Sequence, residues 1–409
     1  RVGGIHRQRR ERMNFLCLAG YEKGHEFLRE AKRQGCGVAL LTSQSLKDTA
    51  RWPRDSIDEI FYMPDRDHEW DRADLVKAVS YLARTRQFDR IVALDDFDVE
   101  VAAMLREHLR TPGMGETTTR YFRDKLAMRM KARDAGVRGP DFVHVLNYDR
   151  IREFLERVPP PWVLKPRSMA GAIGIKKLHR AEDFWQTVES LNDMQSHYLL
   201  ERFVPGDVFH VDTIVHENRI AFAIASGYGR PPMEVSHEGG IFTTSILERD
   251  SDVTRRLLDV NAHVMAAFGL VRGLSHTEFI RSREDGEIYF LETSARVGGA
   301  HIAELVEAAT GLNLWAEWAK VEAATGAYEP AVSRQDYAGL LVSLSRYEHP
   351  DTSVFADPEV VWRMDKAHHV GLIVRSQDTG RVQELLDRYV GIVQRDFHAA
   401  LAPKDKPSS

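Results

Sequence analysis

Between Asn14 and Asp96 the chain alternates short apolar runs with amphipathic stretches. FLCLAG is followed by a helical pattern over His25 to Arg33, then GVALLTS, IDEIFYM, a helical pattern over Asp71 to Arg86, and RIVALDD. Runs without polar alternation suit strands covered on both faces, and the amphipathic stretches suit crossover helices. The pattern therefore predicts a small parallel sheet with helices packed on it, an α/β arrangement. The turn GYEKG after the first run lacks the full glycine pattern of a dinucleotide-binding turn. It is read as a plain strand-to-helix turn rather than a nicotinamide site.

A chain of 409 residues exceeds what one core usually holds, so further packed units are expected. TPGMGETTT punctuates the chain, and a helix is predicted from Thr118 to Ala135, ended by Gly136. A second αβ stretch runs to Val204, a β-rich stretch from Val208 to Ile246, and a helix through DVTRRLLDVNAHVMAAFG. The hairpin SHTEFIRSREDGEIYFLETSA and a module from Tyr337 to Phe397 complete the pattern.

Charge excludes some functions. With 56 Lys and Arg against 61 Asp and Glu, the formal charge of -5 asks for neither nucleic acid nor a membrane surface, so any basic site is local. Cys17 and Cys36 are read as too few for a disulfide framework or a four-ligand zinc site. They read as small apolar packers in a reducing, cytoplasmic setting. No apolar run is long enough to span a bilayer. The basic opening RVGGIHRQRRERM lacks the apolar core of a signal peptide, and is read as an upstream extension or a cloning remnant before a start at Met13.

The hairpin is the most informative stretch. With EDG as a three-residue loop and Gly286 left-handed, Arg283 pairs with Glu287, and counting outward sets Glu278 opposite Glu292. Alternation then places Ile280, Ile288 and Phe290 on the face of these carboxylates. Like charges opposite each other on an apolar face destabilise a sheet unless a cation lies between them, and magnesium prefers such hard oxygen ligands. A solvated strand end with a shifted register is the alternative.

PWVLKPRSMAGAIGIKKL ends an apolar strand at Lys165 and continues into a loop with Gly171 and Gly174. Small residues let backbone N–H groups approach a phosphate, and the preceding lysine adds charge. The spacing is not that of a Walker loop, and an ordinary hairpin turn is the competing reading. Lys125 lies in RDKLAMRMKARDAGV, where Phe122, Leu126 and Met130 recur every fourth residue as one helix face.

Taken in order, RDKLAMRMKARDAGV, WVLKPRSMAGAIGI, LLERFVPGDVFHVD, HTEFI and FLETSARVGG resemble the ATP-grasp superfamily over roughly residues 13–400. HTEF followed by ETSARVGG is most similar to the carboxylate–amine ligases that join amino acids, the L-amino acid (dipeptide) ligases. Ser294 stands where many ATP-grasp enzymes have Asn, again similar to that branch. The resemblance implies an ATP-grasp fold with an N-terminal Rossmann-like αβ domain over 13–112, a small subdomain over 113–205 and a large one over 206–334. A C-terminal lid-like module over 335–400 follows, flanked by an extension (1–12) and a tail (401–409).

The resemblance also implies roles. Lys125 and Lys165 would contact the phosphates of ATP, and Ser168 to Gly174, including Gly171, would form a flap over them. Glu201 to Val204 would read adenine, with Glu201 accepting from the amino group and the backbone of Phe203 or Val204 completing the contact. His210 resembles a ribose-side position, although Val208 replaces a glutamate common in the family, which puts ribose contacts by His210 or Asp212 in doubt. Glu278 and Glu292 would hold Mg2+ or Mn2+, and Arg296 would face the reacting phosphate.

The chemistry implied is ATP-dependent joining of a carboxylate to an amine through an acyl phosphate, releasing ADP and phosphate, with amino acids as substrates. Gly298 and Gly299 would let the backbone pass close to substrate and enter a helix whose N-terminus favours a carboxylate. Arg230, His237, Glu238 and Thr243 lie in a long glycine-containing segment that is either a substrate loop or an ordinary mobile one. His276 is either a substrate contact or a satisfied strand histidine. A homodimer is compatible with this reading. The alternatives are a purine-pathway or biotin-carboxylase-like enzyme acting on another small carboxylate, and a nucleotide-binding regulator without turnover.

Overall fold

The structure, a computed structural model, describes residues 12–169 and 173–399, with all side chains there except those of His237 and Glu238. The N-terminal apolar runs form a parallel sheet in the order Glu59–Met63, Gly37–Ser43, Asn14–Ala19, Arg90–Ala93. Both faces are buried, which is why these strands show no polar alternation. Phe15 and Cys17 point into one core with Phe27 and Leu28 of the helix His25–Arg33, while Leu16 and Leu18 meet Leu75, Val99 and Leu105 on the other side. Cys17 and Cys36 are free and buried in the first of these cores.

A second, antiparallel sheet runs Phe142–His144, Tyr198–Arg202, Trp162–Pro166, Lys176–Leu178. The helices Tyr148–Arg157 and Ala181–Leu191 cover it through Ile151, Phe154, Phe184 and Val188. The third sheet is antiparallel and begins with Ile288–Ser294, Gly273–Ser282, Gly206–His216, Arg219–Tyr228 and Phe242–Ile246.

The same sheet continues into Tyr337–Leu344, His369–Ser376 and Val360–Arg363. The strands expected in a C-terminal module thus extend the large sheet, because Tyr337–Leu344 pairs with Phe242–Ile246 and satisfies its edge. The helix Thr379–Asp396 lays Val382, Leu385 and Tyr389 over this end. Among the described residues, no helix is long and apolar enough to cross a membrane.

Two local expectations are corrected. The helix expected from Thr118 to Ala135 is broken into Glu116–Arg120 and Lys125–Asp134, because Asp124 accepts from the N–H groups of Leu126 and Ala127 and starts a new helix. The phase changes with it. Met130 is exposed, and Met128 and Ala132 enter the core instead. The segment from Gly227 to Ser245 is not simply a loop, since it holds the short helix Pro232–Glu238 and the strand Phe242–Ile246.

Candidate active site

The hairpin pairs Glu278 with Glu292 directly. It reaches that register by a different route from the one predicted. Ser282, not Arg283, pairs with Glu287, its N–H donating to Glu287 O at 2.9 Å, so the loop is a residue longer. A bulge at Leu291 then takes the slip back, since Phe279 faces Phe290 while Glu278 faces Glu292. Between the loop and the bulge the longer loop redistributes the faces. Ile288 and Phe290 join Phe279 and Phe268 in one core, whereas Ile280 packs with Tyr289, Val204 and Val208 on the other side. Ile288 and Phe290 are therefore not on the face that Ile280 shares with Glu278.

Lys125 opens its helix, and its N–H donates to Arg167 O at 2.8 Å. Its buried amine lies 2.9 Å from Glu292 Oε2 and donates to Met169 O at 2.7 Å. Burial alone would raise the Glu292 carboxyl, but the charges of Lys125 and Lys165 and the Lys125 hydrogen bond outweigh it and hold it at about 2. Ser168 is half-buried at the start of the loop after Lys165, and Gly171 lies outside the described residues. Gly174 has φ of 72°, and a Cβ there would come 2.9 Å from Pro166 Cγ, so only glycine fits the turn without strain.

Lys165 and Arg129 both pair with Glu201, Arg129 Nε lying 2.6 Å from Glu201 Oε1. Arg129 and Glu201 are 1% and 2% exposed, so this is an interior ion cluster. Burial would raise the Glu201 carboxyl, but the two cations hold it below the usual range. This alters the expected role of Glu201, whose carboxylate is taken up by two cations rather than left open to an amino group. The Phe203 N–H is likewise committed, donating to Pro161 O at 3.1 Å, and the Lys177 amine lies 3.6 Å from the centroid of the Phe203 ring. Val204 packs in the small apolar cluster with Val208 and Tyr289.

His210 also departs from expectation. Its ring is wholly buried, with Nδ1 2.7 Å from Asp212 Oδ2 and Nε2 2.8 Å from Thr244 Oγ1, so neither nitrogen is left for a ribose. His276 Nδ1 lies 2.9 Å from the other oxygen of Asp212, and His276 Nε2 lies 3.8 Å from Glu278 Oε1. Burial would lower the His276 imidazole, but the charge and hydrogen bond of Asp212, reinforced by Glu278, raise it to about 9. Tyr228 donates to Glu278 Oε1 at 2.8 Å.

Arg296 donates to Val297 O at 2.8 Å and places Nε 3.7 Å from Asp96 Oδ1. Asp96 is buried in the short 3-10 turn Asp96–Asp98 that follows the strand Arg90–Ala93, its Oδ2 accepts from Arg123 at 3.1 Å, and its Oδ1 has no hydrogen bond among the described residues. Gly298 makes room for the protein's own groups rather than for a ligand, since a Cβ there would lie 2.9 Å from His276 Nδ1 and 3.1 Å from Asp212 Oδ1. Around Gly299 the space is open. Ala300 and His301 take positive φ before the helix Ile302–Thr310 begins. Arg230 lies 3.8 Å from Glu234, while the side chain of His237 is outside the described residues.

Asp96, Arg129 and Tyr228 were not read from the sequence as site residues. Arg129 had a signal, standing four residues after Lys125 on one helix face, and Asp96 stood at the carboxyl end of a parallel strand, where α/β sheets bind ligands. Tyr228 had none beyond its strand. Opposed carboxylates with hard oxygens fit a magnesium ion, and the lysine beside Glu292 fits an anionic partner.

Residues 158–304 match the family model described as an ATP-grasp domain. The chain contains an ATP-grasp domain. Its matched span holds Lys165, Glu201, Glu278, Glu292, Arg296 and Gly298, while Asp96, Lys125 and Arg129 precede it. An L-arginine-specific L-amino acid ligase of Bacillus subtilis is 28% identical over 235 residues, or 56% of each chain, so the alignment spans little over half the length of that relative.

The solved L-amino acid ligase of Bacillus licheniformis superposes with a TM-score of 0.73 at 18% identity, covering 96% of this chain and 99% of that one. An ADP complex of N5-carboxyaminoimidazole ribonucleotide synthetase superposes at 0.72 with 14% identity, covering 94% and 98%. The ATP-grasp domain thus sits in an α/β architecture shared with these proteins along nearly the whole chain.

Proposed function

We propose that the chain is an ATP- and magnesium-dependent carboxylate–amine ligase that joins amino acids or related small molecules and releases ADP and phosphate. The observation that carries this reading is the Glu278–Glu292 pair, with the Lys125 amine 2.9 Å from Glu292. A pure nucleotide binder has little use for two opposed carboxylates beside such a lysine. The ligase relatives support the reading, as does the ADP bound to a protein of the same fold.

A carboxylate is a poor acylating agent because oxide is a bad leaving group. Transfer of the γ-phosphoryl group from ATP to a substrate carboxylate oxygen breaks the bond to ADP and forms an acyl phosphate. The amine then attacks the carbonyl, loses a proton and expels phosphate, leaving the amide. Lys125 and Lys165 balance phosphate charge, and Arg296 stabilises charge on the transferred group and then on the tetrahedral oxygen. Glu278 and Glu292 would hold the magnesium ion, which supplies charge neutralisation at the triphosphate. Asp96 Oδ1, buried and without a hydrogen bond among the described residues, is suited to accept from a substrate ammonium beside Arg296.

The test is phosphate release from ATP and magnesium across single and paired amino acids, with the nucleotide product identified. ADP, phosphate and a condensed product of the right mass, appearing only with particular pairs, are expected. AMP would overturn the acyl-phosphate route. ATP binding with no turnover on any pair, but turnover with bicarbonate or another small carboxylate, would favour the purine-pathway or biotin-carboxylase-like reading.

A further inference from the structure

Near Glu278, three strands of the large sheet, Gly273–Ser282, Gly206–His216 and Phe242–Ile246, bring polar side chains into one buried row. Thr244 meets His210 Nε2 at 2.8 Å, His210 Nδ1 meets Asp212 Oδ2 at 2.7 Å, and Asp212 Oδ1 meets His276 Nδ1 at 2.9 Å. Asp212 is 1% exposed and both its oxygens are occupied. His276 precedes Glu278 by two residues on the same strand, so the two side chains share a face. Gly298, two residues after Arg296, rests on His276 and Asp212 so closely that no Cβ fits between them.

We propose that Asp212 is a positioning residue of this site: it clamps His276 beneath the Arg296–Gly299 turn and so fixes both that turn and the orientation of Glu278. The inference rests on the ligase reading. A buried carboxylate between two imidazoles is costly to desolvate, and apolar side chains of similar volume would often stabilise a sheet as well or better. What an apolar trio could not supply is direction. Each oxygen of Asp212 is aimed at one ring nitrogen, and the far nitrogen of His210 is tied to Thr244, so His276 has one orientation. Groups behind metal ligands commonly matter by 10- to 100-fold for metal affinity or activity. Asp212 stands one step further back, behind His276, whose Nε2 lies 3.8 Å from Glu278 Oε1, and it reaches the Arg296 turn through Gly298. The same three side chains, His210, Asp212 and His276, also group closely enough to suggest ligands for a metal. Their hydrogen bonds already direct both Nδ1 atoms at Asp212, which favours the clamp.

The experiment is Asp212→Asn in the full chain, read by Mn2+ binding in the presence of ADP, by kcat and KM for ATP, and by the melting temperature. The amide keeps the shape but accepts from only one ring. We expect Mn2+ affinity and kcat to fall by about 10- to 100-fold while KM for ATP changes far less. Thr244→Val, which loosens only the far end of the row, should give a smaller loss in the same direction and covers the case in which Asp212→Asn fails to fold. A lowered melting temperature with unchanged Mn2+ affinity and kcat would reduce Asp212 to a structural role and overturn the inference. A transition metal bound stoichiometrically to the purified protein and lost in Asp212→Asn would overturn it as well. If the wild-type chain binds Mn2+ and ADP but joins no carboxylate to an amine, the ligase reading fails while the Mn2+ comparison still decides the clamp. If it binds neither, both fail.

Discussion

The Lys125 amine lies 2.9 Å from Glu292 Oε2 and also donates to Met169 O, so one cation ties the hairpin carboxylate to the loop that follows Lys165. Lys125→Met removes both contacts and the charge that keeps the Glu292 carboxyl at about 2. ADP affinity in the presence of magnesium should drop by about 10-fold or more, corresponding to roughly 1.4 kcal/mol. Calorimetric titration measures this, and wild-type affinity would remove Lys125 from the site.

Glu292→Ala should abolish turnover and weaken magnesium-dependent nucleotide binding, because it deletes one of the opposed carboxylates and leaves Lys125 buried without its carboxylate partner. Steady-state kinetics with a magnesium titration decides the matter. Near-normal activity would sink the metal assignment.

Arg296→Ala should leave ATP binding largely intact and stop product formation, since the guanidinium is assigned to charge that develops during the reaction. Loss of one such preorganised donor commonly costs about 3 kcal/mol or more of transition-state stabilisation. Reduced ATP affinity with unchanged turnover would contradict the role.

Glu201→Leu leaves Arg129 and Lys165 buried without their carboxylate, a loss that typically costs about 3–5 kcal/mol of stability. Adding Arg129→Met should recover part of that cost. Urea denaturation of the single and double variants measures both, and a single variant as stable as wild type would mean that the cluster is not charge-balanced as described.

Asp98 offers a pH test away from the carboxylate hairpin. Burial, then the neighbouring Asp95 charge, raises its carboxyl to about 8, against partial relief from the Gly20 N–H. The folded state therefore holds a proton that the unfolded chain releases near pH 4. The stability contributed by this proton is whole below about 4 and is lost as the pH rises through about 8. Asp98→Asn keeps an acceptor for Gly20 and should flatten this decline. Urea midpoints for both proteins at pH 5 and pH 9 should differ more at pH 9, with the variant the more stable there, and equal differences at both pH values would rule out the assignment.

Much of the fold was legible because its signals are local. Apolar runs buried on both faces gave the parallel sheet, and the helix His25–Arg33 falls where its periodicity put it. The facing of Glu278 and Glu292 was also read from sequence, but through two misreadings that offset each other, a loop one residue too short and a missed bulge at Leu291. Neither a loop length nor a bulge leaves a periodic trace, and the faces of Ile288 and Phe290 came out wrong for that reason. Asp124 similarly restarted a helix that the pattern of Phe122, Leu126 and Met130 had made continuous.

The sequence by itself determined most of the strands and helices, and which charged residues stand at strand ends and glycine turns, since these follow from spacing along the chain. Only the tertiary structure decided their partners. Glu201 meets Lys165 and Arg129, His210 is sealed between Asp212 and Thr244, and Arg296 looks toward Asp96, in the turn that follows the strand Arg90–Ala93. Ion pairing and burial depend on distance in space and on the loss of water. Elements far apart in the chain set both.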